Sequence, residues 1–436
     1  MPLAPARLAI PLTMLAALVG LAVLPARVAA APVVTVTEQS VENNFPGGIE
    51  WTISFDSSIE EPVGALRYKF EPFGITSTAE TECTADGCTA MLEYPPVYIP
   101  PFTNISYFWE IEDLREDVTE NADPVVTDTE QFVYDDSRFE WQQITADPVL
   151  LHYYDGSEDD MRELLEASEG TVERWAELFG ASIDFPVQVV VYRNLGDMRD
   201  ALPIGTPAGE GGIFVCGQQS AADIVVVVYD GCGLSSADVL RHELTHLVIE
   251  EALRGPFGDI PLWLNEGAAV YSQESPGDYE AAVNAGIRSD DLLTINQLSS
   301  RQNDPDNVIE FYGQSWSIVS YLIETYGEEK FAELFALYKD GTTNDNAFQT
   351  VYGFDLLGLE DEWRESVGLE ARDREPGNGG TQGTPESSES TAPAADDGGG
   401  SDALLAIIVG GATLGLVAAL VILGVFLTRR MSKPAG

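Results

Sequence analysis

Leu240-Arg241-His242-Glu243-Leu244-Thr245-His246, with Pro261-Leu262-Trp263-Leu264-Asn265-Glu266-Gly267-Ala268-Ala269-Val270-Tyr271 after it, decides how this chain is read. On a helix, His242 and His246 are four residues apart and share one face, one turn from each other. Two imidazoles at that spacing can hold one zinc ion, and the glutamate between them is set to act on water at the metal. A zinc site needs a third protein ligand, which Glu266 offers. Nineteen residues separate it from His246, enough for one helix to end and a second to return past the metal.

The HExxH pattern alone recurs by chance, but three features set this instance apart. The chain has three histidines, and two of them fall in the motif. Val239, Leu240, Leu244, Leu247 and Val248 make the segment a buried helix whose polar exceptions are the histidines, Glu243 and Glu250. Glu266 is itself embedded in an apolar helix, where a carboxylate is costly unless a proton, a cation or a metal pairs with it. One zinc ion per chain is therefore expected on His242, His246 and Glu266.

HELTH followed by WLNEGAAVY resembles the gluzincin zinc peptidases, the thermolysin-like superfamily, and within it the peptidase MA-like members. The resemblance is specific over 239–271 and looser over 145–370. It implies an α+β, thermolysin-like domain of a small mixed sheet and a mostly helical C-terminal part. It also implies zinc ligands at His242, His246 and Glu266, and at Glu243 the general base that deprotonates water and passes the proton to the leaving amine. One position departs from the pattern. Thermolysin has an aspartate one turn after its ligand glutamate, supporting a histidine. Here that position is Val270, so the orienting group is expected elsewhere.

The flanks suggest an address. Arg7, the apolar run Leu8–Leu24 and the small residues of Ala26-Arg27-Val28-Ala29-Ala30-Ala31 read as a secretory signal over 1–31. Ala403–Leu427 is a 25-residue stretch without a charge. As a helix it spans about 37 Å, more than a bilayer core requires. Arg429, Arg430 and Lys433 follow it, which predicts a cytoplasmic tail over 428–436. The expected arrangement is a single-pass protein of the cell membrane with its catalytic ectodomain outside. Residues 371–402 are rich in Gly, Ser, Thr, Pro, Asp and Glu, and predict a flexible linker.

Four cysteines in two local pairs, Cys83 with Cys88 and Cys216 with Cys232, predict two disulfides in an exported chain. His152, in the strand pattern Val149–Tyr154, reads as a packing residue. The net charge is −50, with lysine only at Lys69, Lys330, Lys339 and Lys433. Such a chain repels nucleic-acid phosphates and anionic surfaces, and suits a salty medium that screens its self-repulsion. The expected partners are peptide or protein substrates and, through the anchor, a membrane.

Over 32–142, strand-sized runs (Val33–Thr37, Glu50–Phe55, Ala65–Phe70, Ala90–Tyr94, Ser106–Ile111, Gln131–Tyr134) alternate with turn residues. They predict a β-sandwich of immunoglobulin or fibronectin type. Asn104-Ile105-Ser106 in this domain is a glycosylation sequon. From 143 to 370 the pattern is mixed. Strands are expected at Val149–Tyr154 and Val187–Tyr192 around a helix over 158–180, then a hairpin of Ile213–Cys216 with Ile224–Tyr229. Ser235 or Ser236 caps the motif helix. By the resemblance, one strand of 213–229 borders the cleft and pairs with substrate backbone. Tyr312, in an apolar helix ending at Gly327, is a candidate hydrogen-bond donor to the oxyanion of a tetrahedral intermediate, beside the plainer reading of a core tyrosine. Glu250 is expected to be solvated or to pair between helices.

The resulting expectation is a membrane-anchored extracellular zinc peptidase, with cleavage inside peptides preferred over removal of N-terminal residues. Two alternatives are a non-catalytic, zinc-containing surface binding or adhesion protein on the same scaffold, and a structural surface protein in which the motif is accidental.

Overall fold

The computed structural model describes residues 34–57, 62–95, 97–113, 124–203, 213–299, 305–372 and 405–407. The expected signal (1–31), the linker beyond Arg372 and the tail (428–436) lie outside the described residues. Of the expected membrane span, only β15 (Leu405–Ile407) is described, as a strand parallel to Ile213–Val215. Among the described residues no helix is long and apolar enough to cross a membrane.

The N-terminal part is antiparallel throughout. It comprises β1 (Val34–Asn43), β2 (Gly48–Ser57), β3 (Pro62–Glu71), β4 (Ser77–Thr84), β5 (Gly87–Glu93), β6 (Thr103–Asp113), β7 (Val125–Val126) and β8 (Glu130–Tyr134). Alternation decides which face is buried: Ile49, Trp51, Ile53 and Phe55 of β2, and Ile105, Tyr107, Trp109 and Ile111 of β6, point into one core. Trp51 stands 6.1 Å from Tyr107 and 6.2 Å from Tyr68, ring to ring, so the two halves of the sheet face each other. One layer holds β1, β2, β5 and the end of β4, and the other holds the start of β4, β3, β6, β7 and β8. The strand order is β1-β2-β5-β4-β3-β6-β7, with β8 also on β6. Strand β4, which the sequence pattern does not signal, pairs with β3 at Ser77–Ala79 and with β5 at Glu80–Thr84. It thereby carries the hydrogen-bond ladder unbroken from one layer to the other. Cys83 and Cys88 are opposite each other across the β4–β5 hairpin and are bonded, as expected.

The second part begins with β9 (Gln142–Ala146), β10 (Val149–Tyr153), α1 (Glu158–Phe179), β11 (Val187–Tyr192) and α2 (Leu195–Met198). It continues with β12 (Ile213–Val215), β13 (Gly217–Ala221), β14 (Ile224–Val228) and α3 (Ser236–Ala252). The sheet order is β13-β14-β11-β10-β9. Its three central strands are parallel and its two edges antiparallel. Val-Gln-Val-Val-Val-Tyr of β11 and Ile-Val-Val-Val-Val of β14 are buried at every position, as strands covered on both faces must be. Helix α1 turns Met161, Leu164, Leu165, Ser168, Val172 and Trp175 inward at helical spacing. Ser157 caps its start, and Gly180, at φ 63°, ends it.

The hairpin arm differs from expectation. It is Gly217–Ala221, not Ile213–Cys216, that pairs with β14. The tight turn sets Ala221 opposite Ile224, and after a register shift between Gln219 and Ala221 the ladder runs back to Gly217 against Val227. Residues 213–215 then fall beyond this ladder.

The remainder is helical: α4 (Leu262–Tyr271), α5 (Asp278–Ser289), α6 (Ile295–Leu298), α7 (Pro305–Tyr326), α8 (Glu328–Lys339), α9 (Asn344–Val351) and α10 (Leu356–Ser366). Helix α4 packs on both α3 and α7. Arg372 closes the unit by binding Glu360 and the Leu292 carbonyl. His152 joins the two parts of the chain: its ring stacks on Phe102 at 3.7 Å and its Nε2 meets Gln188 Oε1 at 2.7 Å. That is the packing role its strand context suggested.

Candidate functional site

Helix α3 begins at Ser236 after Ser235, whose backbone is extended but whose side chain makes no capping bond. From Val239 to Ile249, Arg241 alone is not buried. A helix so enclosed places its polar side chains in the interior, where each requires a partner. His242 and Glu243 are fully buried and His246 nearly so. Their rings meet edge to face, with centroids 4.8 Å apart. Helix α4 crosses α3 and delivers Glu266, whose Oε2 lies 3.3 Å from His242 Nε2 and 3.3 Å from His246 Nε2.

The ligand atoms of His242, His246 and Glu266 all lie within 4.8 Å of one another. His242 Nε2, His246 Nε2 and Glu266 Oε2 are buried and make no hydrogen bond. Two imidazole nitrogens and one carboxylate oxygen, converging and otherwise unsatisfied, are a donor set suited to zinc. The electrostatics agree. Burial holds His242 down to about 4. Burial also opposes charge on His246, but the Glu266 carboxylate overrides it and raises that imidazole to about 9. Burial raises Glu266 as well, yet the two imidazoles bring it down to about 2. The Glu266 carboxylate thus favours positive charge between the two imidazoles, which a divalent cation would supply.

The groups that orient the imidazoles come from α4 and the turn after it. His246 Nδ1 is 2.9 Å from Asn265 Oδ1, and His242 Nδ1 is 3.1 Å from the Gln273 amide. With Nε2 turned to a metal, Nδ1 carries the proton and needs an acceptor. Asn265 presents its oxygen as it stands; a half-turn of the Gln273 amide does the same for His242. These two amides take the place left open by Val270. Asn265 adjoins the ligand glutamate in the quoted stretch, but no spacing rule marks it as a partner of His246. Asn265→Ala is expected to weaken zinc affinity about 10- to 100-fold. Competition with a chelator of known affinity measures this, and an unchanged affinity would remove Asn265 from the site.

Glu243 is fixed from the sheet. The backbone N–H of Gln219, on edge strand β13, donates to its Oε2 at 2.8 Å, while Oε1 is buried without a partner. Burial pushes this carboxyl up to about 8, against the pull of His246 and the Gln219 N–H. The approach is close: a Cβ on Gly217 would lie 2.6 Å from Val239 Cγ1 and 2.9 Å from Glu243 Cγ. Glycine is the residue that lets β13 reach the motif helix. The Cys216–Cys232 disulfide ties the start of β13 to the loop that leads into α3. Gln219 also binds Glu250 through its side chain, so that exposed carboxylate partners the edge strand rather than another helix. Tyr312, on α7, is buried with its ring 6.1 Å from that of His242.

Residues 167–368 match the family model of the peptidase MA superfamily. Among solved structures, the chain is similar to the crystal structure of an M1 zinc metallopeptidase from Deinococcus radiodurans at 12% identity and a TM-score of 0.33, covering 79% of this chain and 95% of that one. It is also similar to a mutant two-domain M1 zinc metallopeptidase bound to L-arginine, at 13% identity, a TM-score of 0.33 and the same coverage. Likeness of that order speaks to neither substrate nor mechanism. No curated protein sequence matches the chain.

Proposed function

We propose that this protein, whose residues 167–368 match the peptidase MA superfamily, is a zinc-dependent peptidase, held at the outer face of the cell membrane by one C-terminal anchor. The observation that carries the activity is the set of orphaned atoms: three buried, converging ligand atoms, with Glu243 Oε1 unpartnered near them.

His242, His246 and Glu266 hold the metal, and Asn265 and Gln273 keep both imidazoles turned toward it. Zinc bound there supplies Lewis acidity, which lowers the pKa of water toward 7 and polarises a carbonyl. Glu243 takes the proton of the attacking water on Oε1 while the Gln219 N–H retains Oε2. The same carboxyl then gives that proton to the departing amine. Strand β13 is the edge of its sheet on the side of Glu243. An extended peptide laid along it gains main-chain hydrogen bonds with little demand on side-chain identity.

The direct test incubates the zinc-loaded full-length chain with a mixed peptide pool at high salt and reads the products by mass spectrometry. Cleavage is expected, with cuts inside the peptides. Failure of a folded, zinc-loaded chain to cut any peptide would overturn the peptidase reading in favour of a non-catalytic binding protein. The anchor has its own test. The full chain is expected in the membrane fraction and a chain ending at 402 in the medium; recovery of both in one fraction would discard the anchor.

A further inference from the structure

Gln273 meets the Nδ1 of His242 at 3.1 Å, yet it stands past the end of α4, whose last residue is Tyr271. A glutamine outside a helix has backbone and side-chain freedom to lose before it can hold a ring in place. The motif helix itself removes that freedom. The backbone N–H of Glu274, the next residue, donates to Asp238 Oδ1 at 2.8 Å. Arg241 Nη1 donates to the same oxygen at 3.0 Å, and its Nη2 donates to Glu274 Oε1 at 2.7 Å. The Asp238 and Arg241 side chains are 17% and 18% exposed, whereas that of Glu274 is 75% exposed. Water screens the outer Arg241–Glu274 pair, which contributes little. Asp238 is the joint, a carboxylate oxygen largely withdrawn from water that accepts one backbone N–H and one guanidinium N–H. It precedes His242 by four residues, so the two share a face of α3, one turn apart.

We infer that Asp238 is a positioning residue of the metal site: it grips the turn that carries Gln273, and Gln273 orients His242 on the same helix. This rests on the zinc reading of His242, His246 and Glu266. The circuit leaves α3 at Asp238, passes through Glu274 and Gln273, and returns to α3 at His242. Arg241 holds the Asp238 carboxylate toward the turn. Without that grip Gln273 regains its freedom, and the Nδ1 of His242 loses the partner that keeps Nε2 aimed at the metal. The plainer role of Asp238 is a negative charge in the first turn of α3, where it favours the helix dipole. Asparagine separates the two roles, because it keeps the oxygen and drops the charge.

A double-mutant cycle on the full-length chain, read as zinc affinity by competition with a chelator, tests the circuit. Asp238→Ala and Gln273→Ala are each expected to weaken zinc about tenfold, and the double variant no more than Gln273→Ala alone. Asp238→Asn should stay within about threefold of wild type, since its Oδ1 still accepts the Glu274 N–H. Unchanged affinity in Asp238→Ala, multiplying effects in the double variant, or Asp238→Asn falling as far as Asp238→Ala each overturns the inference. Should Asp238→Ala lose its fold, Asp238→Ser takes its place in the cycle, too short to reach the turn but suited to a helix start. The rings report the same circuit without metal. The chain has three histidines, so ¹⁵N-histidine labelling resolves each one. In the metal-free Asp238→Ala chain the His242 nitrogens should shift as they do in Gln273→Ala, while those of His152 stay. A wild type that binds no zinc would end the zinc reading by itself; a His242 ring unmoved in Asp238→Ala would end this one.

Discussion

Glu243→Gln is expected to keep its zinc and its fold while kcat falls about 10²- to 10⁴-fold, the usual worth of a positioned general base. The substitution is close to isosteric. Its amide oxygen can still accept the Gln219 N–H that now reaches Oε2 at 2.8 Å. What changes is the other atom. Oε1, buried and unpartnered in the native chain, becomes an amide nitrogen with hydrogens to donate and no lone pair to receive a proton. Metal content by elemental analysis and turnover on a cleaved peptide are the two measurements. A variant with full turnover would remove Glu243 from the mechanism. Loss of zinc together with turnover would instead make it part of the ligand set.

Removal of a ligand acts on the metal itself. Glu266→Ala or His242→Ala is expected to bring bound zinc well below one per chain and to abolish activity with it. In Glu266→Ala the effect is compounded. The carboxylate that holds His246 up at about 9 is gone, and burial then disfavours any positive charge on the remaining imidazoles. Metal binding also stabilises the fold by linkage, by about 2.7 kcal/mol when free zinc stands at a hundred times Kd. These variants should therefore lose the rise in Tm that zinc gives the wild type. Unchanged stoichiometry in either variant would show that the ligand set is wrong.

Much of this was legible along the chain because the relevant physics is local. His242 and His246 share a face through the pitch of one helix, and Glu243 lies between them. The buried helix α1 and the apolar strands β11 and β14 announce themselves by period and by run length. Cys83 and Cys88 are bonded across a hairpin whose turn can be read directly. Glu266 could be picked out because an acid within Leu-Trp-Leu-Asn-Glu-Gly-Ala-Ala-Val is costly without a cation.

What lay beyond the sequence depends on which elements come to rest together. Nothing in the spacing of Asn265 or Gln273 marks them as partners of His246 and His242; the crossing of α4 over α3 does that. The Gln219 N–H that pins Glu243 is a backbone group, invisible to residue type, and it reaches the helix because Gly217 has no side chain in the way. The arm paired with β14 was displaced from 213–216 to 217–221 by the register of one turn, and β4 joined two layers that the turn pattern had divided. Periodicity and motif spacing report the intrinsic geometry of one element, so they singled out His242, Glu243 and His246 as candidates, and the apolar context of Glu266 added the fourth. The partners that orient those residues were decided by tertiary packing, because a single polar contact between elements has no period to read.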